Sequence, residues 1–455
     1  GDGVVNVRDC NAPTAGDYSG DALHKGFFTD HPYEGTESCM KCHTTIGEEI
    51  ITTGHFTWKG VAANIEGFEG GEHGKIDIIL NEQGDVDRAY FQVPELRGFE
   101  QFCVGRPAEE MPRITNRICG VCPEAHHMAA TKALDGVFHV DPPPAAKKLR
   151  EMFYNIFFAT DHTTHFYFLG GPDFVVGPDA PRAERNVLGV VGKVGVEVGK
   201  KVIAMRKAAR ELISLAGGKV IHPVLGLPGG VAKAFQAEDQ ARARDVAAQA
   251  VEFAEFSLQV FNDVVLGNKE YVDLILADAY AHRTYYMGMV DANNKVNFYD
   301  GQLRVVDPDG KEFLKFPCRD YLKHVAEHVE PWSYIKFPYL KSFGWKGLDT
   351  GPDVGIYRVA PTARFNASEG MATPLAQVEY ERFFDTLGGK PVHHTLATHW
   401  ARVVEMVYAA ERTLELARDA TLPLDFLPEG RFEATIFEDA PDAHYRTNRV
   451  AYTVR

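Results

Sequence analysis

The sequence predicts a mainly α fold with small β lobes, and three observations predict it. Apolar side chains recur at spacings of three and four through several long stretches, as one-sided helices require. They alternate with period two in two shorter regions, 76–93 and 296–345, as half-buried strands do. Residues 1 to about 60 show neither pattern and are rich in Gly, Asp, Thr and His.

Taken in order, the first segment reads as loop-rich, with a short helix near Gly47 to Ile51. A segment that buries so little needs a staple such as a cofactor. Residues 76–93 read as a β-hairpin turning at Asn81-Glu82-Gln83-Gly84-Asp85. Pro142-Pro143-Pro144 then introduces a helix carrying Leu149, Met152, Phe153, Ile156 and Phe157 on one face. Residues 186–216 read as a second long helix with an apolar stripe of Val187, Val191, Val194, Val198 and Val202. Gly192, Gly195 and Gly199 recur along it. Each interior Gly costs roughly 1 kcal/mol against Ala, which close approach of another helix would offset. Further helices are expected over 237–266 and 375–418. The strand-like stretch between them has expected turns at Asp307-Pro308-Asp309-Gly310 and Phe337-Pro338.

The chain of 455 residues is long enough for two or three domains and a large core. With 45% hydrophobic and 24% charged residues it is ordinary for a globular protein, so extensive disorder is excluded. A net charge of −15 repels phosphate backbones and argues against nucleic acid as a partner. No apolar run approaches the ~20 residues that span a bilayer. Gly1 stands first in place of Met, which fits removal of a leader.

Seven cysteines, an odd and sparse set, do not make a disulfide scaffold. Four of them form two C-x-x-C pairs, Cys39 with Cys42 and Cys119 with Cys122, which points to metal or cofactor chemistry. The second pair sits in Arg117-Ile118-Cys119-Gly120-Val121-Cys122-Pro123-Glu124-Ala125-His126-His127. Thiolates at this spacing can face one centre, with Gly120 easing the turn. The soft sulfurs suit zinc, iron–sulfur clusters or nickel. Arg117 would favour deprotonated sulfur, and His126 could orient a thiolate. By itself the pair is open between a structural zinc site, redox dithiol chemistry and other uses. A zinc site on Cys119, Cys122 and His126 is one such reading.

With its flanking Arg, Gly and His, the segment resembles the metal motif R-x-C-G-x-C-x-x-x-H of the nickel–iron hydrogenase large subunit. Val93 to Glu100 resembles that family's R-G-x-E stretch. Asp161-His162-Thr163-Thr164-His165-Phe166-Tyr167, Gly171-Pro172-Asp173-Phe174, and Gly217 to Gly230 are also similar to it. So are Trp332 to Tyr339 and His399-Trp400-Ala401-Arg402. The likeness covers residues 75–419, nearest the soluble branch that serves nicotinamide, deazaflavin or heterodisulfide-reducing partners.

The resemblance implies a long-helix bundle of the hydrogenase large-subunit type. It implies reversible H2 oxidation, with electrons passing to an iron–sulfur small subunit, then to further redox subunits. The implied cofactors are nickel, and iron with diatomic ligands, and magnesium. Cys119 would be a terminal nickel thiolate and Cys122 a thiolate bridging nickel and iron. Glu100 would hold magnesium and Asp173 would lie in the outer surroundings of the metals; either could equally be a solvated or capping carboxylate. Cys103 and Cys318 are expected to be plain buried thiols. A broad face against the small subunit implies exposed apolar surface on the lone chain.

The family pattern is broken in two places. Its second thiolate pair, D-P-C-x-x-C-x-x-H, has no counterpart, because no cysteine follows Cys318 and residues 420–455 diverge. Two thiolates leave nickel half coordinated, so the expected state is an incomplete large subunit, inactive unless another chain supplies ligands. The family's R-I-E-G-H stretch is also altered, and neither Glu66 nor Glu72 takes its proton-relay role safely.

Cys39-Met40-Lys41-Cys42-His43 is C-x-x-C-H, the attachment pattern of c-type haem, although a zinc knuckle or chance gives the same string. With His55-Phe56-Thr57-Trp58-Lys59-Gly60 and His73-Gly74-Lys75, residues 1–74 resemble the first haem region of an octahaem tetrathionate-reductase-type cytochrome c. That resemblance implies haem c on Cys39, Cys42 and His43, with His55 a candidate distal ligand. The two likenesses meet at His73-Gly74-Lys75, as at a fusion joint. They conflict over compartment: cytoplasmic by the hydrogenase portion, periplasmic or extracellular by the haem motif. The alternative function is a non-catalytic haem c electron-transfer or fusion protein on a hydrogenase-like scaffold.

Overall fold

The computed structural model describes residues 75–92, 98–333 and 335–422. Cys39, Cys42, His43 and His55, the loop-rich segment 1–74 and the tail from residue 423 lie outside the described residues, as do Glu66 and Glu72. The chain forms two compact units, residues 1–97 with 329–336, and 98–328 with 337–455.

In the first unit, β1 (Lys75–Leu80) pairs antiparallel with β2 (Val86–Gln92), as the alternation predicts. The Asn81 carboxamide oxygen closes the turn by accepting from the Gln83 and Asp85 amides at 3.0 and 2.9 Å. Tyr90 meets Trp332 edge-on at 5.2 Å.

The second unit is built on helices. In chain order they include α1 (Phe99–Cys103), α2 (Pro123–Val137), α3 (Pro144–Thr164), α4 (Val187–Val194) and α5 (Val196–Gly217). They continue with α6 (Ala237–Phe261), α7 (Ala360–Ala367), α8 (Pro374–Thr386) and α9 (Thr398–Ala417). Pro144 opens α3 at a position where its missing N–H costs nothing. Leu149, Met152, Phe153, Ile156 and Phe157 are all buried in the main core, each worth about 1.5–3 kcal/mol. Helix α3 runs on into π-helical turns at His165–Gly170 and Pro172–Val176. Helix α9 is the hub, apolar and buried on almost every side, and packs against α3 and α6.

Two short strands, β3 (Gly226–Leu227) and β4 (Gly230–Val231), form a small hairpin. A four-stranded sheet has the order β10 (Tyr357–Arg358), β5 (Tyr285–Val290), β6 (Gln302–Val306), β7 (Glu312–Pro317). Its β6–β7 turn falls at Asp307 to Gly310 as expected. The remaining pair is β8 (Val325–Val329) with β9 (Lys336–Leu340).

Four expectations need correction. The single helix over 186–216 is two helices, because Gly195 adopts φ 92°, open to glycine and ending α4. Helix–helix approach explains one of the three glycines: a Cβ on Gly199 of α5 would stand 3.1 Å from Val191 of α4, whereas one on Gly192 would meet open space and Gly195 forms the break itself. The stretch 375–418 is likewise two helices, α8 and α9, parted by a loop carrying Gly388 and Gly389 at positive φ. Phe337-Pro338 is not a turn; both lie in β9, whose two-stranded sheet leaves an edge where Pro needs no ladder partner. Cys318 is exposed and Cys103 only half-buried. Among the described residues no helix is long and apolar enough to cross a membrane. Exposed apolar side chains include Val104, Leu169, Leu188 and Ile203.

Candidate metal centre

The segment that bears Cys119 and Cys122 is a sequence of short turns feeding a helix. A helical turn at Met111–Thr115 and a 3-10 turn at Asn116–Ile118 bring the chain to Cys119 in extended conformation. Cys122 is then the N-cap of α2, with Pro123 at the first helical position. The Cys122 amide donates to Cys119 Sγ at 3.2 Å, which folds the two side chains toward each other. His126, four residues on, rises from the first turn of α2 on the same side. The ligand atoms of Cys119, Cys122 and His126 all lie within 4.8 Å of one another. Among the described residues this is the group of His, Cys, Asp and Glu that could hold a metal ion. Gly120 does not take a positive φ, so the turn does not depend on glycine there.

The loop is pinned from behind by His127. Its Nε2 accepts from the Leu225 and Gly226 amides at 3.0 and 2.9 Å. Its Nδ1 must therefore carry the proton, which it donates to the Pro112 carbonyl at 3.1 Å. Burial lowers the His127 pKa, so this neutral tautomer is stable. Asn116 Nδ2 donates to the Pro223 carbonyl at 3.3 Å, and His222 Nδ1 meets the Asn116 carbonyl at 2.9 Å.

Electrostatics at the pair differ from the sequence expectation. Arg117 donates to the Arg113 carbonyl and to Asn116 Oδ1, at 3.0 and 2.5 Å, and is spent there. Burial pushes the Cys122 thiol up to about 12, reinforced by its hydrogen bond and charge interaction with Cys119 and by Asp161 and Glu124. A metal ion would have to displace a proton from this sulfur, which couples binding to pH.

Several charged groups around the pair were given no role from sequence. Buried Glu124 accepts from Arg210 Nη1 at 2.5 Å, while its Oε2 is buried without a partner among the described residues. Burial raises its carboxyl pKa, against the pull of Arg210. On α3, half-buried Asp161 places its charge where both Cys122 and Arg364 feel it. Next to it, His162 Nδ1 accepts from Arg402 Nη1 at 3.3 Å, so Nε2 carries the proton and donates to Glu405 at 2.9 Å. Glu405 is 0% exposed and accepts from both Nε and Nη2 of Arg364, at 2.5 and 2.6 Å. Burial alone would raise the Glu405 carboxyl, but the Arg364 charge and hydrogen bonds outweigh it and bring it down to about 2. The signal available was a charge in an apolar run: Val403-Val404-Glu405-Met406-Val407.

Two expected site residues lie outside the thiol–imidazole group. Glu100 is exposed on α1. Asp173 is exposed and accepts from Arg185 Nη1 at 3.2 Å.

Residues 97–187 match the nickel-dependent hydrogenase family, and residues 65–96 match a HoxL-like family. The chain is 48% identical over 347 residues to an F420-non-reducing hydrogenase iron-sulfur subunit of Archaeoglobus profundus, covering 76% of this chain and 71% of that one. It is 42% identical to a vhu-type F420-non-reducing hydrogenase subunit of Methanocaldococcus jannaschii, covering 78% of this chain and 81% of that one. A solved NAD+-reducing [NiFe]-hydrogenase in the H2-reduced state superposes with a TM-score of 0.70 at 34% identity, over 77% of this chain and 75% of that one. These likenesses favour the hydrogenase reading over a non-catalytic haem protein. The chain therefore belongs to the nickel-dependent hydrogenase family, and within it to the large subunits.

Proposed function

We propose that this chain carries the H2-converting site of a nickel–iron hydrogenase, with Cys119 and Cys122 as metal thiolates. The observation that carries the proposal is the convergence of both sulfurs and the His126 imidazole within 4.8 Å. That donor set is soft and fits one side of a thiolate-bound nickel–iron centre. Among the described residues, the group that could hold a metal ion contains the two sulfurs of Cys119 and Cys122. The centre, once bound, supplies Lewis-acid polarisation of H2.

The chain's own residues then have separable tasks. Cys119 and Cys122 would both hold the centre through their sulfurs, as the family motif implies. His126 orients a thiolate from its helical turn. Asp161, whose charge reaches Cys122, stands ready to accept a proton. Arg364 is fixed by Glu405, which His162 holds in turn, so its charge is held without freedom to collapse onto solvent. Glu100 is proposed for magnesium and Asp173 for the outer surroundings. Residues 75–419 form the hydrogenase body in this reading. Electrons leave to an iron–sulfur small subunit, and the acceptor belongs to the class served by the F420-non-reducing and NAD-reducing relatives. The hydrogenase portion favours the cytoplasm. The C-x-x-C-H string favours an additional haem c on Cys39, Cys42 and His43, which a pyridine haemochrome spectrum tests.

The decisive test is H2-dependent dye reduction by the purified complex, alongside nickel and iron analysis. Activity with both metals bound supports the proposal. Zinc at the site, with no activity, would show that Cys119, Cys122 and His126 form a structural site instead.

A further inference from the structure

We propose that His165 and His399 form an imidazole relay that carries protons between Asp161, beside the thiol pair, and solvent at Asp173. The relay rests on the hydrogenase reading, since heterolysis of H2 releases a proton that must leave the interior.

The two rings come from different elements, His165 from the π-helical extension of α3 and His399 from the first turn of α9. Their centroids are 5.6 Å apart with planes tilted by 41°. At that separation one water can bridge a nitrogen of one ring to a nitrogen of the other. Both rings converge over Gly170: a Cβ there would stand 2.7 Å from His399 Nδ1 and 3.5 Å from His165 Cε1. Glycine therefore keeps open the space the two rings share. Nδ1 of His165 is buried and has no hydrogen-bond partner among the described residues. A histidine kept only for packing would have both nitrogens satisfied or wet.

At the inner end lie Asp161 and His162 on α3, with His162 Nδ1 3.6 Å from an Asp161 oxygen. His165 feels the charges of Arg402, His399, His162 and Asp161. Arg402 on α9 donates to His162, and its Nε is buried without a partner among the described residues. At the outer end His399 feels Arg402 and the exposed carboxylate of Asp173, which Arg185 holds at 3.2 Å. Phe174 closes the side of His399 with its ring at 5.3 Å. Burial first, and Arg402 second, hold both imidazoles down to about 4. Rings that rest neutral pass a proton on without retaining it: one nitrogen gains a proton as the other gives one up. The proton account closes with one proton leaving Asp161 and one appearing at Asp173 or in water.

Two readouts test the relay, using the full chain. The first needs no metal centre. In 15N-histidine NMR, His165 and His399 should be neutral from pH 6 to 8, and His399→Asn should slow solvent exchange of the His165 ring N–H about tenfold or more. Unchanged exchange overturns the relay. The second uses the purified hydrogenase complex. His399→Asn and His165→Asn should each lower kcat for H2 oxidation about 100-fold, leave KM for H2 unchanged, and recover with added imidazole. A kcat within about twofold of the parent, or a loss that imidazole does not restore, also overturns it. An inert parent complex would count against the hydrogenase reading alone, because the exchange measurement still decides the relay.

Discussion

Replacing Glu405 with glutamine keeps the shape of the side chain but removes the charge that neutralises Arg364 inside the core. The consequence can be worked in two ways. Glu405 is 0% exposed and shares two short hydrogen bonds with Arg364 and one with His162. Breaking a buried pair by removing one partner typically costs about 3–5 kcal/mol, since the other charge is left uncompensated. The carboxyl, pushed up by burial and brought down further by Arg364, titrates at about 2 in place of 4.5. That depression corresponds to about 3 kcal/mol at 1.36 kcal/mol per pH unit. The folded pKa is the lower one, so this stability is fully present above pH 4.5 and is lost as pH falls toward 2. Glu405→Gln should therefore lower the unfolding free energy by about 3 kcal/mol at pH 7, read from urea midpoints at constant slope. The difference from the parent should shrink between pH 4.5 and 2. A loss below about 1 kcal/mol at neutral pH, or a pH-independent difference, would refute the reasoning.

Three further outcomes are expected. Arg150 is 0% exposed and ties α3 to the β3–β4 hairpin through Asp135 and the carbonyls of Leu227 and Gly230, so Arg150→Ala should cost about 3–5 kcal/mol in urea unfolding. In metal-free chain, alkylation of Cys122 should keep rising about tenfold per pH unit from 8 to 10, because burial holds its thiol up at about 12; a plateau near pH 9 would contradict this. Gly195→Ala should cost about 1–2 kcal/mol by thermal or urea unfolding, since the φ of 92° that separates α4 from α5 excludes a Cβ, and an unchanged midpoint would show that the break relaxes.

How much was legible in the sequence follows from how local each feature is. Helix α3 was readable because its apolar face repeats strictly and Pro144 marks its start. The break at Gly195 was not, because glycine inside a helical pattern is tolerated as often as it interrupts, and only the backbone angle distinguishes the two. Pro338 looked like a turn because proline usually punctuates; the edge of a two-stranded sheet removes that constraint. The thiol–imidazole group was readable because Cys119, Cys122 and His126 come from one turn and the helix it caps. The surrounding charges were legible only in part: Asp161, His162 and Arg402 stand in stretches that resemble the family but carry no role there, and Arg364 and Glu405 stand in none. Asp161 and His162 come from α3, Arg364 from α7, and Arg402 and Glu405 from α9. Only the packing of those three helices around the core makes them neighbours. Arg117 shows the converse error: adjacency in sequence suggested a partner for sulfur, and the backbone turn sent its guanidinium elsewhere.

Nickel X-ray absorption on the purified complex, with Cys119→Ser and Cys122→Ser beside the parent, tests the central claim most directly. The account predicts sulfur scatterers around nickel in the parent, and loss of nickel or of one sulfur in each variant. A nickel shell of nitrogen and oxygen alone, or a sulfur shell that both substitutions leave intact, would contradict it.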